Sequence, residues 1–208
     1  MTLLVAGILL GIGVPNVMEF QRNANMSSAA NDLVTGALLA RAEAVKRQVP
    51  VTMCLSADPD VAMPTCLPNA VANSGDVGFV VWVDENGDFD AAGNPDLTDA
   101  TDGNAVVNNN ELVLMRSVPP ADPILISANC GHVAYAPNGW VRQVPGLCAA
   151  AFGTPLFVVL CDDRGRRVAG GGLSSARAVR IDATGRGVVL QETVQVDPAI
   201  GTAGATCP

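Results

Sequence analysis

A single stretch of helical spacing, residues 3–45, constrains this chain of 208 residues more than any other feature. From residue 30, apolar side chains recur at steps of three and four, at Ala30, Leu33, Ala37, Ala40 and Ala44. Three further apolar residues widen the predicted stripe: Val34, Leu38 and Val45. Because this spacing places the residues on one side of a helix, it predicts an amphipathic helix that covers one face of a sheet. Pro50 follows the predicted end of that helix.

The beginning of the same helix is apolar, since residues 3–14 carry no charge. The residues predicted to form a membrane and assembly segment are Leu3, Leu4, Val5, Ile8, Leu9, Leu10, Ile12, Val14 and Pro15. Pro15 removes a backbone donor, so we expect a kink there rather than an end. Crossing a bilayer takes about 20 apolar residues, and residues 2–14 supply 13. A secretory signal peptide is the alternative, although no Lys or Arg precedes the run and no small-x-small cleavage site follows it.

After Pro50 the chain changes to short apolar runs, which are punctuated by many of its 21 glycines and 14 prolines. This pattern is typical of short strands. Strands are predicted at residues 49–55, 77–83, 112–118, 124–128, 132–137, 140–144, 156–161, 176–181 and 187–191. The prediction is therefore an α+β fold, in which a long N-terminal helix precedes an antiparallel β-sheet head. We expect an apolar helix half over residues 1–23, an amphipathic half packed on the head over 24–48, and a β-rich head over 49–208.

Six cysteines behind an export-type N-terminus indicate an oxidising compartment. The spacing favours three pairs out of fifteen possible pairings: Cys54 with Cys66, Cys130 with Cys148, and Cys161 with Cys207. Cys130 and Cys148 each lie nine residues from Gly139, where Asn138-Gly139 predicts a hairpin turn. Spacing alone leaves the connectivity open. A zinc site is disfavoured, because the chain has no Cys-x-x-Cys and a single histidine, His132.

An acidic segment follows the strand predicted at residues 77–83. Oxygen-bearing side chains stand at positions 1, 3, 5 and 7 of this loop: Asp84, Asn86, Asp88 and Asp90. Alternate oxygen ligands are how a calcium loop surrounds its cation, so these residues are a candidate calcium site. Phe89 stands where such a loop has glycine, and no glutamate occupies position 12. A solvated acidic turn is the alternative, and we expect no other cofactor.

The net charge of −8 disfavours a protein that coats nucleic acid over its whole surface. Positive charge is nevertheless concentrated late in the chain, in six arginines: Arg164, Arg166, Arg167, Arg177, Arg180 and Arg186. Contacts to phosphates require several cations on one face, which these residues would supply if the sheet aligned them. The alternative is a set of arginines that form salt bridges and keep the surface soluble.

Catalytic motifs are scarce in the sequence. His132 falls on an alternating strand pattern, which favours a structural role. Ser174 and Ser175 have no base nearby in the sequence, and the chain contains no nucleophile elbow or P-loop. The sequence therefore predicts a protein that is not an enzyme.

Several segments of the chain resemble the FimT/GspH family of type IV minor pilins and type II secretion pseudopilins. The matching segments are the apolar start with Pro15, and residues 29–34, 39–47, 50–54, 78–84, 136–139, 176–181 and 184–186. The resemblance implies a type IV pilin-like fold with a single pass through the bacterial inner membrane and the head in the periplasm. It also implies other pilin or pseudopilin subunits as partners, because in this family the helices pack side by side in a pilus or pseudopilus.

Two alternatives accompany this interpretation. Some FimT-like pilins resemble DNA receptors for natural transformation, with a Gly-Arg-x-Arg element near the C-terminus. Here Gly185-Arg186-Gly187-Val188 keeps the first arginine and lacks the second. The other alternative is a membrane-tethered periplasmic binding domain.

The resemblance also sets an expectation for the N-terminus. In this family a short basic leader ends in Gly, cleavage leaves a methylated Phe or Met, and a glutamate follows closely. If Pro15 is the family's proline, that glutamate would precede Met1, which we interpret as a misplaced translation start. The alternative is that residues 1–3 are the mature end, with Val5 in place of the glutamate.

Overall fold

The structure, a computed structural model, describes residues 2–62, 64–67, 70–83, 111–120, 124–142, 155–169 and 172–207, with side chains from Val17 onward. Within these ranges two helices and eleven strands follow one another. They are α1 (Thr2–Arg47), β1 (Val51–Ser56), β2 (Val71–Ser74), β3 (Gly78–Val83), β4 (Val113–Ser117), β5 (Leu125–Ala128), β6 (His132–Tyr135), β7 (Val141–Arg142), β8 (Leu156–Cys161), β9 (Val168–Ala169), β10 (Leu173–Ile181), β11 (Gly187–Glu192) and α2 (Thr193–Ala203).

The strands form two antiparallel sheets. Sheet 1 has the order β4-β3-β1-β6-β7, and sheet 2 has the order β11-β10-β8-β5-β2, with β9 paired to β10. In sheet 1, Met53 lies between Val81 of β3 and Val133 of β6. In sheet 2, Val179 of β10 lies opposite Val158 of β8. These five side chains belong to one hydrophobic core that also contains the buried side of α1. The predicted α+β fold, a long helix followed by an antiparallel head, is confirmed.

The small apolar side of α1 makes this packing possible. The predicted stripe is buried and begins one turn earlier than expected, at Met26, Ala30, Leu33, Ala37, Ala40 and Ala44. Because most of these residues are alanines, the helix lies very close to sheet 1: a Cβ atom placed on Gly36 would lie 2.5 Å from Cε2 of Phe79. At this distance almost any larger side chain on the stripe would force the two elements apart.

Two residues assigned to this stripe were assigned wrongly. Leu38 and Val45 remain 48% and 45% exposed. The physical reason is angular, because at about 100° per residue they lie at least roughly 100° around the helix from the centre of the buried line. Val34 lies between these extremes, partly buried and packed against the core.

Helix α2 covers the opposite face of sheet 2, and the sequence prediction missed it. Its buried residues Val196 and Ala199 pack with Ala176 and Ala178 of β10, whose small side chains leave room for a helix. Pro198 and Gly201 lie inside α2 and made its sequence look like a turn. Strands β2 and β9 were also missed, because their four and two residues are too short to show a periodic pattern.

Candidate assembly interface at the N-terminal helix

The part of α1 between Val17 and Asn25 is largely exposed. Three of its apolar side chains, Val17, Met18 and Phe20, are exposed, and Phe20 is 74% exposed. Among the described side chains of α1, the first that is buried is that of Met26. The side chains predicted to form the assembly segment, from Leu3 to Pro15, precede the part of the chain whose side chains are described. Their backbone is helical, and the helix continues through Pro15.

Among the described residues, no helix combines the length and the apolar character that a bilayer crossing requires.

A polar clamp holds α1 to sheet 2 where the helix leaves the head. Arg22 forms an ion pair with Asp163, with 3.0 Å between Nη1 and Oδ1. Arg164 donates a hydrogen bond from Nη1 to Oδ1 of Asn23 at 2.9 Å. The guanidinium of Arg164 is itself fixed by the buried carboxylate of Asp162, at 2.6 Å. Because Asp162 also accepts a bond from the Arg164 backbone amide, the turn after β8 is rigid and sets the direction in which α1 leaves the head.

Further along α1, Arg41 joins the tips of two hairpins in what we call the hairpin junction, formed by Arg41, Gly139 and Gly185. Its Nε donates to the carbonyl oxygen of Gly139 at 3.0 Å. The turn after β10 adjoins this site, since the Val141 amide donates to the carbonyl oxygen of Ala183 at 2.9 Å. The two short segments that carry much of the family resemblance, residues 136–139 and 184–186, therefore meet at one point on α1.

Glycine is required at the centre of this junction. Gly185 has a φ of +77°, and a Cβ atom there would lie 2.6 Å from the carbonyl oxygen of Gly139 and 2.9 Å from Cε1 of Tyr135. Tyr135 is fully buried, and its hydroxyl has no hydrogen-bond partner among the residues that the structure describes. Burial raises the pKa of Tyr135, and the nearby positive charge of Arg41 only partly opposes this effect. The two turns and the ring of Tyr135 are therefore closely packed around Gly185.

His132 is also buried, within sheet 1 beside Cys54 of the neighbouring strand. Burial disfavours the charged imidazolium and lowers the pKa of His132 from 6.5 to about 4. The ring is therefore neutral at pH 7, which fits the structural role predicted for it.

The six arginines predicted as a nucleic-acid surface do not all share one face. Arg177 and Arg180 lie three residues apart on β10, so their side chains point to opposite faces of sheet 2. Arg177 is buried and donates to the backbone carbonyls of residues 174–176. Its pKa is lowered by burial and then by Arg164, while Asp162 opposes this shift.

Three of the six arginines form ion pairs with aspartates. Arg180 lies 3.1 Å from Asp182, and Arg166 lies 3.7 Å from Asp197. Arg164 belongs to the clamp described above. Arg167 and Arg186 are exposed. The structure thus gives most of these arginines intramolecular partners and does not gather them into a single basic surface.

Two of the three proposed cysteine pairs are present as disulfides. Cys54 bonds to Cys66, and Cys161 bonds to Cys207, which fastens the segment after α2 to β8. Cys148, the proposed partner of Cys130, lies outside the described residues, as do the calcium candidates Asp84, Asn86, Asp88 and Asp90. Among the residues that are described, no group of His, Cys, Asp or Glu is arranged to hold a metal ion.

Sequence reasoning did not identify three arginines that organise this architecture. Arg22 and Arg41 attach α1 to the head. Arg116 of β4 donates to the carbonyls of Pro59 and Val61, which holds the loop closed by Cys54 and Cys66. Arg41 and Arg116 bond to backbone carbonyls and Arg22 bonds to the carboxylate of Asp163, and the fold alone brings these partners close. The glycines of the two turns were the available signal, because a glycine in a turn often marks a close approach of the backbone.

This chain is similar to one known protein family and to solved structures. The family model for the type II transport protein GspH matches residues 29–185, which is more than half of the chain. Among solved structures, the type IV minor pilin FimU of Pseudomonas aeruginosa is similar in two crystal forms. One aligns at 17% identity and a TM-score of 0.45, over 85% of this chain and 94% of FimU. The other aligns at 15% identity and a TM-score of 0.41, over 81% and 94%. None of the curated proteins is significantly similar to this chain.

Proposed function

Because the chain belongs to the family of the type II transport protein GspH, we propose that it assembles through α1 into a type IV pilus or a type II secretion pseudopilus. Family membership makes it a subunit of the minor pilin and pseudopilin class. Subunits of this class are structural and are not enzymes. The proposal concerns how such a subunit enters a fibre.

The observation that supports this proposal is the change in environment along α1. From Met26 onward one side of the helix is buried against the head, whereas Val17, Met18 and Phe20 are exposed. The 24 residues before Met26 correspond to about 36 Å of helix. An apolar surface on a helix fixed at its base by Arg22 is suited to burial against other subunits. We therefore assign the interface with neighbouring subunits to this part of α1, including the segment from Leu3 to Pro15.

The same proposal gives the cellular location. Before assembly, the apolar start of α1 holds the subunit in the inner membrane, and the head lies in the periplasm. The disulfide Cys54–Cys66 and the disulfide Cys161–Cys207 support this location, because disulfides form and persist in an oxidising compartment.

Replacing Phe20 by Asp tests the proposal. The exposed side chain contributes little to the fold, so the variant should keep the melting temperature of the wild type. A charge in the interface would be desolvated on assembly, and the subunit should be lost from sheared fibres and from complexes with other pilin subunits. Val194→Asp is the matched control, since Val194 is 78% exposed but lies on α2. Normal incorporation of the Phe20 variant would contradict the proposal.

Binding of DNA stays a separate prediction. The exposed Arg167 and Arg186 are the residues through which it is best tested. A gel shift with the intact subunit, repeated at rising salt, would detect phosphate contacts, since these weaken steeply with ionic strength. Absence of a shift at low salt would remove this alternative.

A further inference from the structure

An open groove lies on one flank of α1, at the β4 edge of sheet 1. It has a volume of about 270 Å³. Its walls include Ala29 of α1, Phe79 of β3 and Val118 after β4, so most of its surface is apolar. The exposed carboxylate of Asp32 lines the groove, and the exposed Asp76 directly precedes another lining residue. The groove thus combines an apolar floor with a negatively charged rim.

The opposite edge of sheet 1 presents the side chain of Trp140. Trp140 lies at the tip of the β6–β7 hairpin and is 54% exposed, although tryptophan is usually well buried. The backbone beneath it is fixed, because the Trp140 amide donates to Asn138 and the neighbouring Gly139 carbonyl accepts from Arg41. The exposed Arg186 belongs to the adjoining turn. Tryptophan and arginine are both enriched among the residues that dominate the binding energy of protein interfaces.

The groove and Trp140 face away from each other across α1. Arg41 and Val45 contact the Trp140 hairpin at Gly139, whereas Asn25 and Asp32 line the groove. At about 100° per residue, these two pairs lie about 180° apart around the helix. At about 1.5 Å per residue, their positions differ by roughly 20 Å along the axis. Copies with parallel helices, each shifted by this distance, would bring the tryptophan of one to the groove of the next.

We propose that Trp140 of one copy of this chain inserts into the groove beside Asp32 of a second copy. The charges favour this occupant, because Arg186 would approach the carboxylates of Asp32 and Asp76. The contact joins two different surfaces, so it does not close on itself and extends into an open row of subunits. It deepens the proposed function, on which it rests, by naming a lateral contact between heads that α1 holds parallel.

Two variants of the full chain in detergent micelles test the contact. Trp140→Ala removes the inserted side chain, and Ser28→Trp fills the groove from α1. Each should weaken self-association about tenfold or more in sedimentation experiments, as expected for loss of a central tryptophan. An equimolar mixture should recover dimers, because the intact Trp140 of one variant fits the intact groove of the other. Val168→Ala, which shortens an exposed side chain on β9, should associate like the wild type.

Three results would overturn this inference. They are wild-type self-association by the Trp140 variant, a mixture that associates no more tightly than its components, and a wild-type chain that stays monomeric up to its solubility limit. Melting temperatures equal to that of the wild type would show that the variants are folded. If Phe20→Asp abolishes incorporation into fibres while Trp140→Ala changes neither incorporation nor self-association, the lateral contact fails and the proposed function stands.

Discussion

Alanine at Gly185 provides a direct test of the hairpin junction. Gly185 and Gly172 have nearly the same backbone conformation, with φ values of +77° and +79°. An alanine in this left-handed region costs about 1–2 kcal/mol in either position. The surroundings differ, because a Cβ atom at Gly172 meets nothing within 4 Å, whereas one at Gly185 would lie 2.6 Å from the Gly139 carbonyl oxygen. Comparing the two variants therefore isolates the close approach of the two hairpins.

The expected difference follows from these distances. Overpacking of a rigid site costs about 1–3 kcal/mol, and neither the Gly139 backbone nor the ring of Tyr135 can move freely. Gly185→Ala should therefore destabilise the protein by about 2–5 kcal/mol in total, against about 1–2 kcal/mol for Gly172→Ala. Urea unfolding at pH 7 measures both values, and each kcal/mol corresponds to about 2–4 °C in Tm. Equal destabilisation of the two variants would refute a tightly packed junction.

Two further predictions concern stability. Burial lowers the pKa of His132 to about 4 from 6.5, so its contribution of roughly 3 kcal/mol is complete above pH 6.5 and is lost as the pH falls toward 4. His132→Gln should flatten urea-unfolding stability between pH 7 and pH 4.5, and an unchanged pH dependence would contradict this assignment. Replacing Cys161 and Cys207 together by Ser removes a link across 46 residues, which should cost about 4 kcal/mol. Hydrogen exchange of α2 should then rise before that of β8, whereas unchanged protection of α2 would show that packing alone holds it.

The elements predicted correctly from sequence are those whose pattern is local. The stripe from Ala30 to Ala44 is buried as its spacing predicted, and β8 has the predicted bounds, Leu156–Cys161. Both are long runs in which local preference and burial agree. Helix α2 was missed because Pro198 and Gly201 oppose helix formation locally, while packing on Ala176 and Ala178 of β10 favours it.

The candidate site was less predictable for a similar reason. The apolar start of α1 and Pro15 could be read from the sequence, but the residues that orient the helix could not. Arg22 bonds to Asp163, 141 residues away. Arg41 bonds to Gly139, 98 residues away. Because these partners lie so far apart in the sequence, no periodic pattern of residues indicates that they meet. Arg164 and Arg180 were misleading for a different reason. Their proximity in sequence suggested a shared basic surface, but each pairs with an aspartate two residues away.

The alanines of α1 have a consequence for the shape of any fibre built from this subunit. They set the gap between the rod and the sheet, and the methyl groups of Ala37, Ala40 and Ala44 are the smallest side chains that can fill it. In a fibre assembled as proposed above, that gap would set how far each head stands from the fibre axis. A bulkier residue at any of these positions would then push the helix away from the sheet and widen the fibre. The inner packing of the subunit would in this way contribute to the diameter of the assembly.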